Sequence, residues 1–174
     1  MTLLRNGRRL LSLALELALL CVLVAAFFVR TPQVSGHSMA PQIASGEYVL
    51  IDTLAYRFSA PARGDIIAFR LDADPSTGIE PSTYIKRVIG LPHDRVFIRD
   101  GTVFVNGSAL AEPYVRFGDR RSFPEIVVPA GSLYVLGDNR ADSEDSRAFG
   151  CVAEGSVIGR AVAGIWPPQL LGNL

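Results

Sequence analysis

A long apolar run near the N-terminus limits what this chain can fold into more than any other feature of its sequence. Residues 10–29 form a stretch of twenty mostly apolar residues, interrupted by a single charge at Glu16. As a helix, a stretch of that length spans roughly 30 Å, the thickness of the hydrocarbon core of a bilayer. The apolar side chains outweigh the insertion cost of one acidic residue. The sequence therefore predicts a transmembrane anchor over residues 10–29.

The charges that flank this run predict its orientation. Arg5, Arg8 and Arg9 precede it, and arginine-rich flanks of this kind stay on the cytoplasmic side. We therefore expect a cytoplasmic N-terminus over residues 1–9 and an extracytoplasmic domain over residues 30–174. A cleaved signal peptide is the alternative. Its apolar region is normally shorter, and no clear small-x-small cleavage site follows before Arg30.

Charge and cysteine content exclude several classes of protein. Lys and Arg total 17 and Asp and Glu total 17, so the net charge of zero gives no basic face for a nucleic-acid partner. Cys21 lies in the apolar run and Cys151 lies far away in the polar part, so we expect no disulfide between them. The 2 His residues and the absence of zinc-type spacing argue against a metal site.

The polar part of the chain has a β-type pattern. Short runs rich in Val, Ile, Phe and Tyr alternate with turn residues, and Asp100-Gly101 is a strong hairpin signal. The predicted strands are residues 48–52, 65–70, 83–89, 95–99, 102–105, 132–136 and 157–162. Residues 72–82 and 112–129 contain several prolines and are predicted to be irregular. The sequence therefore predicts one mainly antiparallel β domain.

The first cluster with chemical potential is the segment from Ser35 to Pro41. Ser38 lies there among Gly and Pro residues, in a turn where its hydroxyl can be exposed. Because an extended residue covers at most about 3.6 Å, Ser38 lies within roughly 30 Å of the end of the apolar run. An ordinary polar loop is the alternative interpretation.

The second cluster surrounds Lys86. Lys86 and Arg87 are neighbours in an otherwise apolar strand pattern, so they face opposite sides of the sheet and one of them takes the more buried face. A buried lysine loses its charge more readily than an arginine, and a neutral lysine can accept a proton from serine. Lowering a lysine pKa by about three units costs roughly 4 kcal/mol. The alternative is that Lys86 reaches water from a sheet edge.

The third cluster follows the predicted strand 132–136. Residues 137–147 are small and charged, and they can form either a solvated turn or a network in which Asp138, Asp145 and Arg147 pair and hold Ser143.

In combination, the clusters resemble one known family. After the apolar run come Ser38-Met39-x-Pro41, Arg63-Gly64-Asp65-Ile66, Lys86-Arg87-Val88-Ile89-Gly90-Leu91-Pro92, and Gly137-Asp138-Asn139-Arg140 with Ser143-x-Asp145-Ser146-Arg147. This ordered set resembles the bacterial type I signal peptidases and covers essentially the whole chain.

The resemblance implies a catalytic assignment. By this resemblance, Ser38 corresponds to the family's nucleophile, Lys86 to its general base and Ser143 to a serine that orients the lysine amine. Asp145 and Arg147 correspond to a buried ion pair, and Asp138 and Arg140 to supporting positions. The implied fold is a coiled antiparallel β domain behind the anchor, and no cofactor or metal is implied.

The resemblance also implies a substrate and a location. The implied substrates are exported preproteins, cut after an Ala-x-Ala-like site at the outer face of the bacterial cytoplasmic membrane, with the lipid bilayer as the other partner.

Some positions depart from the family pattern. Gln42 replaces a common Thr, Ala141-Asp142 replaces the commoner Asp-Asn, and Phe149 stands where Trp or Tyr is frequent. At Gly36 some members carry a serine that helps to bind the oxyanion. The oxyanion is therefore expected to rest on backbone donors, including the Ser38 N–H.

Three alternatives stay open on the sequence. A self-cleaving cytosolic repressor shares the Ser/Lys logic, but the apolar run and the arginines argue against it. A specialised peptidase that matures one dedicated substrate is hardly distinguishable from a general one. A catalytically silent, anchored binding domain is the third alternative, and the intact set of Ser38, Lys86 and Ser143 argues against it.

Overall fold

The computed structural model describes residues 2–72, 82–166 and 172–173. Helix α1 covers Thr2–Phe27 and the short helix α2 covers Ser146–Phe149. The strands are β1 (Val29–Arg30), β2 (Tyr48–Asp52), β3 (Ile66–Leu71), β4 (Ser82–Gly90), β5 (Arg95–Arg99), β6 (Thr102–Val105), β7 (Ser108–Ala109), β8 (Phe123–Val127), β9 (Ser132–Leu136), β10 (Val152–Ala153), β11 (Val157–Trp166) and β12 (Gly172–Asn173). A single 3₁₀ turn, Glu154–Ser156, precedes β11 in this part of the chain.

The larger sheet brings together strands that are distant in sequence. Among the described residues its order is β1-β2-β11-β3-β4-β9-β10, with β12 also paired to β11, and every pairing is antiparallel. The ten-residue strand β11 pairs with both β2 and β3 and has several register irregularities. Such bulges increase the local twist, so the sheet coils.

The smaller sheet has the order β7-β6-β5-β8 in the described part of the chain. A tight turn at Asp100 and Gly101 joins β5 to β6, and both residues have positive φ, as the hairpin signal predicts. Inward-facing residues of this sheet pack with residues of β4 and β9 in one apolar cluster: Ile89, Val96, Ile98, Val103, Val105, Val128, Tyr134 and Leu136.

Two further apolar clusters contain residues of the larger sheet. One joins Met39 and Ile43 to the inner residues of β2, β3 and β11, and the other lies between β3, β4, β9 and β10. The segment that carries Ser38 is therefore attached to the core by the residues that follow it.

The predicted β architecture is confirmed. Predicted strands 48–52, 95–99, 102–105 and 132–136 have the observed bounds, while 65–70, 83–89 and 157–162 correspond to β3, β4 and β11 with shifted or extended ends. The prediction that residues 112–129 are irregular is wrong in its second half, where β8 pairs with β5. Pro124 obscured this strand, and an edge position tolerates it because proline lacks an N–H donor.

The remaining predictions concern the loop 72–82, the two cysteines and the apolar run near the N-terminus. Within the predicted loop 72–82, Asp72 has no regular structure, Ser82 begins β4, and residues 73–81 lie outside the described residues. The thiols of Cys21 and Cys151 are both free. Helix α1 covers most of the apolar run, and its leucines between residues 11 and 23 are exposed. Among the described residues, no helix combines the length and the apolar character needed to span a membrane.

Candidate active site

The turn that carries Ser38 is fixed by its apolar neighbours. Met39 and Ile43 are fully buried in the core against β2, β3 and β11, whereas Ser38 itself is half-buried. Backbone bonds from the N–H of Ala40 to His37 O (3.0 Å) and from the N–H of Ile43 to Met39 O (2.9 Å) close the turn. The buried methionine thus anchors a serine whose hydroxyl remains accessible.

Lys86 is delivered to this serine by β4. The strand pairs Lys86 with Ile67 of β3, and its Nζ lies 2.6 Å from Ser38 Oγ. The lysine is only 3% exposed. Its Nζ also lies 5.5 Å from the centroid of the Tyr84 ring. Of the two interpretations left open by the sequence, the buried one is therefore observed and the water-exposed one is not.

Burial changes the acidity of this lysine. Loss of hydration lowers the pKa of Lys86 from 10.5 to about 8, and the negative charges of Asp145 and Glu144 partly oppose this effect. A substantial fraction of the amine is therefore neutral near pH 8. A neutral amine at hydrogen-bond distance from a serine hydroxyl is chemically able to accept its proton.

Arg87 lies next to Lys86 and is also buried, at 8% exposure. The two side chains face opposite sides of β4, and both sides are covered. Arg87 donates from Nε to Asp138 Oδ1 (2.8 Å) and from Nη2 to Asp138 Oδ2 (2.7 Å). The sequence singled out Asp138 as a supporting position but missed Arg87 as its partner, because strand alternation suggested that one neighbour would be less buried.

Asp145 organises the loop that follows β9. Its carboxylate accepts hydrogen bonds from Ser143 Oγ (2.7 Å), Gly137 N (3.0 Å) and Arg147 Nε (2.8 Å). Burial alone raises the pKa of Asp145, but the hydrogen bonds and charge of Arg147 outweigh it and hold the pKa below its ordinary value. The predicted pairing of Asp145 with Arg147 is present, and it places Ser143 beside this carboxylate.

Among the described residues, Ser143 is therefore held by Asp145 and makes no direct bond to Lys86. Within the described residues, its hydroxyl donates to Asp145, and no hydrogen bond joins it to Lys86 Nζ. The carboxylate of Asp145, which Ser143 contacts, is also the negative charge that most strongly raises the pKa of Lys86. Its role in orienting the lysine stays a prediction.

Arg140 has a partner that the sequence did not suggest. Its side chain is 4% exposed and forms a bidentate ion pair with Glu112, in which Nη1 lies 3.0 Å from Oε2 and Nη2 contacts Oε1. Arg140 Nε also donates to Gly137 O at 2.9 Å. Glu112 lies between β7 and β8, in a stretch with no recognisable motif, so only the three-dimensional arrangement identifies it.

The loop after β9 also contacts the turn that carries Ser38 directly. The Asn139 N–H donates to Ser38 O (3.0 Å), and Asn139 Nδ2 donates to His37 O (3.2 Å). Asn139 belongs to the motif seen in the sequence, but that motif gave no hint of its partners because they lie about a hundred residues away.

Of the predicted oxyanion donors, Ser38 has the freer backbone amide. The Gly36 N–H donates to Ser45 Oγ at 3.3 Å, whereas no hydrogen bond within the described residues uses the Ser38 N–H. Gly36 has a φ of 96°, a conformation in which a side chain would be strained. Gly36 therefore contributes to the site through its backbone conformation.

An open groove of about 360 Å³ leads to Ser38 and Lys86. It is lined by residues 32–35 and 82–86 together with Ser38 and Met39. In this part of β4 the strand pairs with β3 on one side, while its pairing with β9 begins only at Arg87. The groove therefore runs along an edge of β4 that no strand within the described residues covers.

The positions that depart from the family pattern lie around the site rather than in it. Phe149 packs against Tyr84 and Phe69, with ring centroids 5.7 and 6.2 Å apart. Gln42 is exposed. Within the described residues, no group of three His, Cys, Asp or Glu side chains is arranged to hold a metal ion.

Comparisons with known proteins identify the family of this chain. The model of the family described as "Signal peptidase, peptidase S26" matches residues 7–166. Signal peptidase I of Leptolyngbya laminosa is 36% identical over 177 residues, which cover 98% of this chain and 84% of that protein. Signal peptidase IB of Staphylococcus aureus strain Mu50 is 31% identical over 176 residues, which cover 91% and 88%.

A crystal structure of a signal peptidase I from Enterococcus faecalis V583 shares 37% sequence identity, covers 59% of this chain and 97% of that chain, and gives a TM-score of 0.49. The family model and the curated relatives extend over most of the chain. The chain therefore belongs to the signal peptidase family, peptidase S26, and is a serine endopeptidase.

Proposed function

We propose that this enzyme removes signal peptides from exported preproteins by acyl transfer through a dyad of Ser38 and Lys86. The observation that carries the proposal is the 2.6 Å separation of Lys86 Nζ from Ser38 Oγ at the end of an open groove. The lowered pKa of the lysine supports it, because a base must be neutral before it can accept a proton.

The reaction then proceeds in two stages. Ser38 Oγ attacks the scissile carbonyl carbon while its proton passes to Lys86 Nζ, and the Ser38 N–H donates to the oxyanion. Collapse of this intermediate breaks the C–N bond, and the lysine gives its proton to the leaving amine. A water molecule then attacks the acyl-enzyme, the lysine takes a proton from that water, and Ser38 recovers it as the ester bond breaks.

The free edge of β4 suits a substrate in an extended conformation. A peptide strand can pair with the backbone groups of residues 82–86 on the side that no described strand occupies, while alternate side chains point into the groove. The proposed cleavage site is of the Ala-x-Ala type, as the resemblance to the signal peptidases implies.

We further propose that α1 anchors the enzyme in the cytoplasmic membrane, with the β domain on the extracytoplasmic side. Support comes from the apolar run, the preceding arginines and the exposed leucines of α1, which would contact lipid instead of water. Strand β1 follows α1 directly and pairs with β2, which places the sheet next to the end of the helix.

The decisive experiment uses the full chain in detergent with a preprotein that carries an Ala-x-Ala site. Ser38→Ala and Lys86→Met are each expected to lower the cleavage rate by at least a thousandfold, whereas Ser108→Ala, an exposed serine in the smaller sheet, leaves it unchanged. Near-normal cleavage by either dyad variant would exclude the proposed mechanism. Cleavage of one precursor and no other would instead indicate a dedicated peptidase.

The anchor has a separate test. Cys21 and Cys151 are the 2 cysteines of the chain, so a variant with both changed to serine and Ser108→Cys carries one thiol in the exposed part of the β domain. In intact cells a membrane-impermeant maleimide is expected to label this thiol, and the protein should stay in the membrane pellet after carbonate extraction. Release into the supernatant would exclude a spanning α1, whatever the outcome of the cleavage assay.

A further inference from the structure

The segment between β7 and β8 is packed against the loop that supports the nucleophile. Glu112 and Tyr114 lie in this segment, outside every motif that identified the family. Tyr114 Oη donates to Glu112 Oε1 at 2.9 Å, so the two side chains form one unit. This unit contacts two buried arginines, Arg140 and Arg87, that belong to different parts of the active site.

The first contact leads to Ser38. Glu112 holds the guanidinium of Arg140, whose Nε donates to Gly137 O. The peptide units that follow Gly137 extend to Asn139, whose N–H donates to Ser38 O. The orientation of the nucleophile turn therefore depends on an arginine that Glu112 keeps in place.

The second contact leads to Lys86. The guanidinium carbon of Arg87 lies 4.0 Å from the centroid of the Tyr114 ring, a close cation–π contact. Arg87 is the neighbour of Lys86 on β4 and is fixed on its other side by Asp138 and by Gly64 O. The ring therefore covers the face of β4 opposite the lysine.

We propose that Glu112 and Tyr114 are positioning residues for the reaction, because they set the Ser38 turn and the Lys86 strand relative to each other through Arg140 and Arg87. Neither residue lines the groove. Their loss therefore affects the alignment of the reacting atoms rather than the binding of the peptide. This inference rests on the proposed function of the dyad.

The first test separates positioning from folding. Glu112→Gln is nearly isosteric but removes the charge that balances Arg140. It is expected to lower kcat by about tenfold or more, with KM changed by less than about threefold, at temperatures where the variant is folded. The matched control is Glu125→Gln, which breaks the exposed ion pair of Glu125 with Arg95 in the smaller sheet and is expected to leave kcat unchanged.

A double variant distinguishes a stabilising pair from a positioning pair. Glu112→Met with Arg140→Met replaces the buried ions by apolar groups of similar length, which often restores stability. We expect Tm to recover toward the wild-type value while kcat stays low, because Gly137 O still lacks its donor. Recovery of kcat together with Tm would show that the pair only stabilises the fold and would overturn the inference.

A spectroscopic measurement tests the inference without turnover. Lys86 is the only lysine in the sequence, so ¹³Cε-lysine labelling gives one side-chain signal whose titration can be followed by NMR. Deleting the Glu112 charge would by itself lower the lysine pKa. Loosened packing instead admits water and raises it from about 8 toward 10.5.

An upward shift in Glu112→Gln, absent in Glu125→Gln, is the expected result. An unchanged or lower titration midpoint together with an unchanged kcat would overturn the inference. If the wild-type chain cleaves no preprotein, the proposed function fails, and the lysine titration still decides whether Glu112 positions the dyad.

Discussion

Lys86 Nζ lies 2.6 Å from Ser38 Oγ, although the two residues are 48 positions apart in the chain. The contact depends on two independent features of the fold, the buried Met39 that seats the serine turn and the pairing of β4 with β3 that places the lysine. Both side chains are thus attached to core elements, as a preorganised site requires.

The first prediction concerns the pH dependence of cleavage. Because the general base must be neutral, kcat/KM is expected to rise with pH through an apparent pKa near 8, the value to which burial lowers Lys86. The ¹³Cε-lysine titration of the free enzyme should give the same midpoint. A lysine midpoint near 10.5, with activity already maximal at pH 7, would contradict the assignment.

The second prediction concerns the stability cost of the base. The folded pKa of Lys86 lies below the unfolded value, so the unfolded state binds more protons between about pH 8 and 10.5, and wild-type stability rises across this window. Lys86→Met is therefore expected to be more stable than the wild type below pH 8, by about 3 kcal/mol. The difference should disappear by about pH 10.5, as measured by urea unfolding in detergent.

A third prediction follows from the close packing at Gly137. A Cβ at this position would lie 2.5 Å from Ser38 O, 2.2 Å from Ser143 Oγ and 2.6 Å from Ser143 Cβ. Gly137→Ala must therefore displace the backbone of the nucleophile turn, and we expect a fall in kcat of about a hundredfold or more. Gly155→Ala is the control, because a Cβ there meets nothing within 4 Å. Equal activity of the two variants would contradict the observed packing.

The fourth prediction concerns the buried ion pair. Asp145→Asn keeps the shape of the side chain but leaves Arg147 with less negative charge in a buried environment, which is expected to cost about 3 kcal/mol at pH 7. The exposed neighbour Asp142 provides the control variant Asp142→Asn.

This ion pair also has a defined pH signature. The folded pKa of Asp145 is lower than its ordinary value of 3.8, so the pair contributes stability above that value, and this stability is lost as the pH falls further. The wild type should therefore lose part of its advantage over Asp145→Asn in acid. A constant difference between pH 7 and pH 3 would contradict the depressed pKa.

Much of the β framework was predictable from local sequence. Strands with alternating apolar residues and glycine-containing turns, such as β5 and β6 around Gly101, carry their information within a few residues. Strand β8 was missed because Pro124 masks its pattern, and its pairing partner β5 lies about 30 residues earlier. Partner choice between distant strands is not a local property.

The residues of the site also divide into those that local sequence predicts and those that depend on distant contacts. The ordered motifs alone are enough to mark Ser38, Lys86 and Asp145 as candidates. They give no sign of Glu112, which contacts the loop after β9 through Arg140, or of Tyr114, which contacts β4 through Arg87. Contacts of this kind depend on how the smaller sheet packs against the larger one, and neither periodicity nor turn chemistry records that packing.

The position of Lys86 next to Arg87 on β4 has a consequence for how this region can vary. Inserting or deleting one residue in the first half of β4 would exchange the faces of the two side chains. An arginine would then face Ser38, and its guanidinium stays protonated at every pH at which the enzyme is folded. Length changes in this short stretch are therefore expected to abolish the proposed chemistry even where the sheet itself survives.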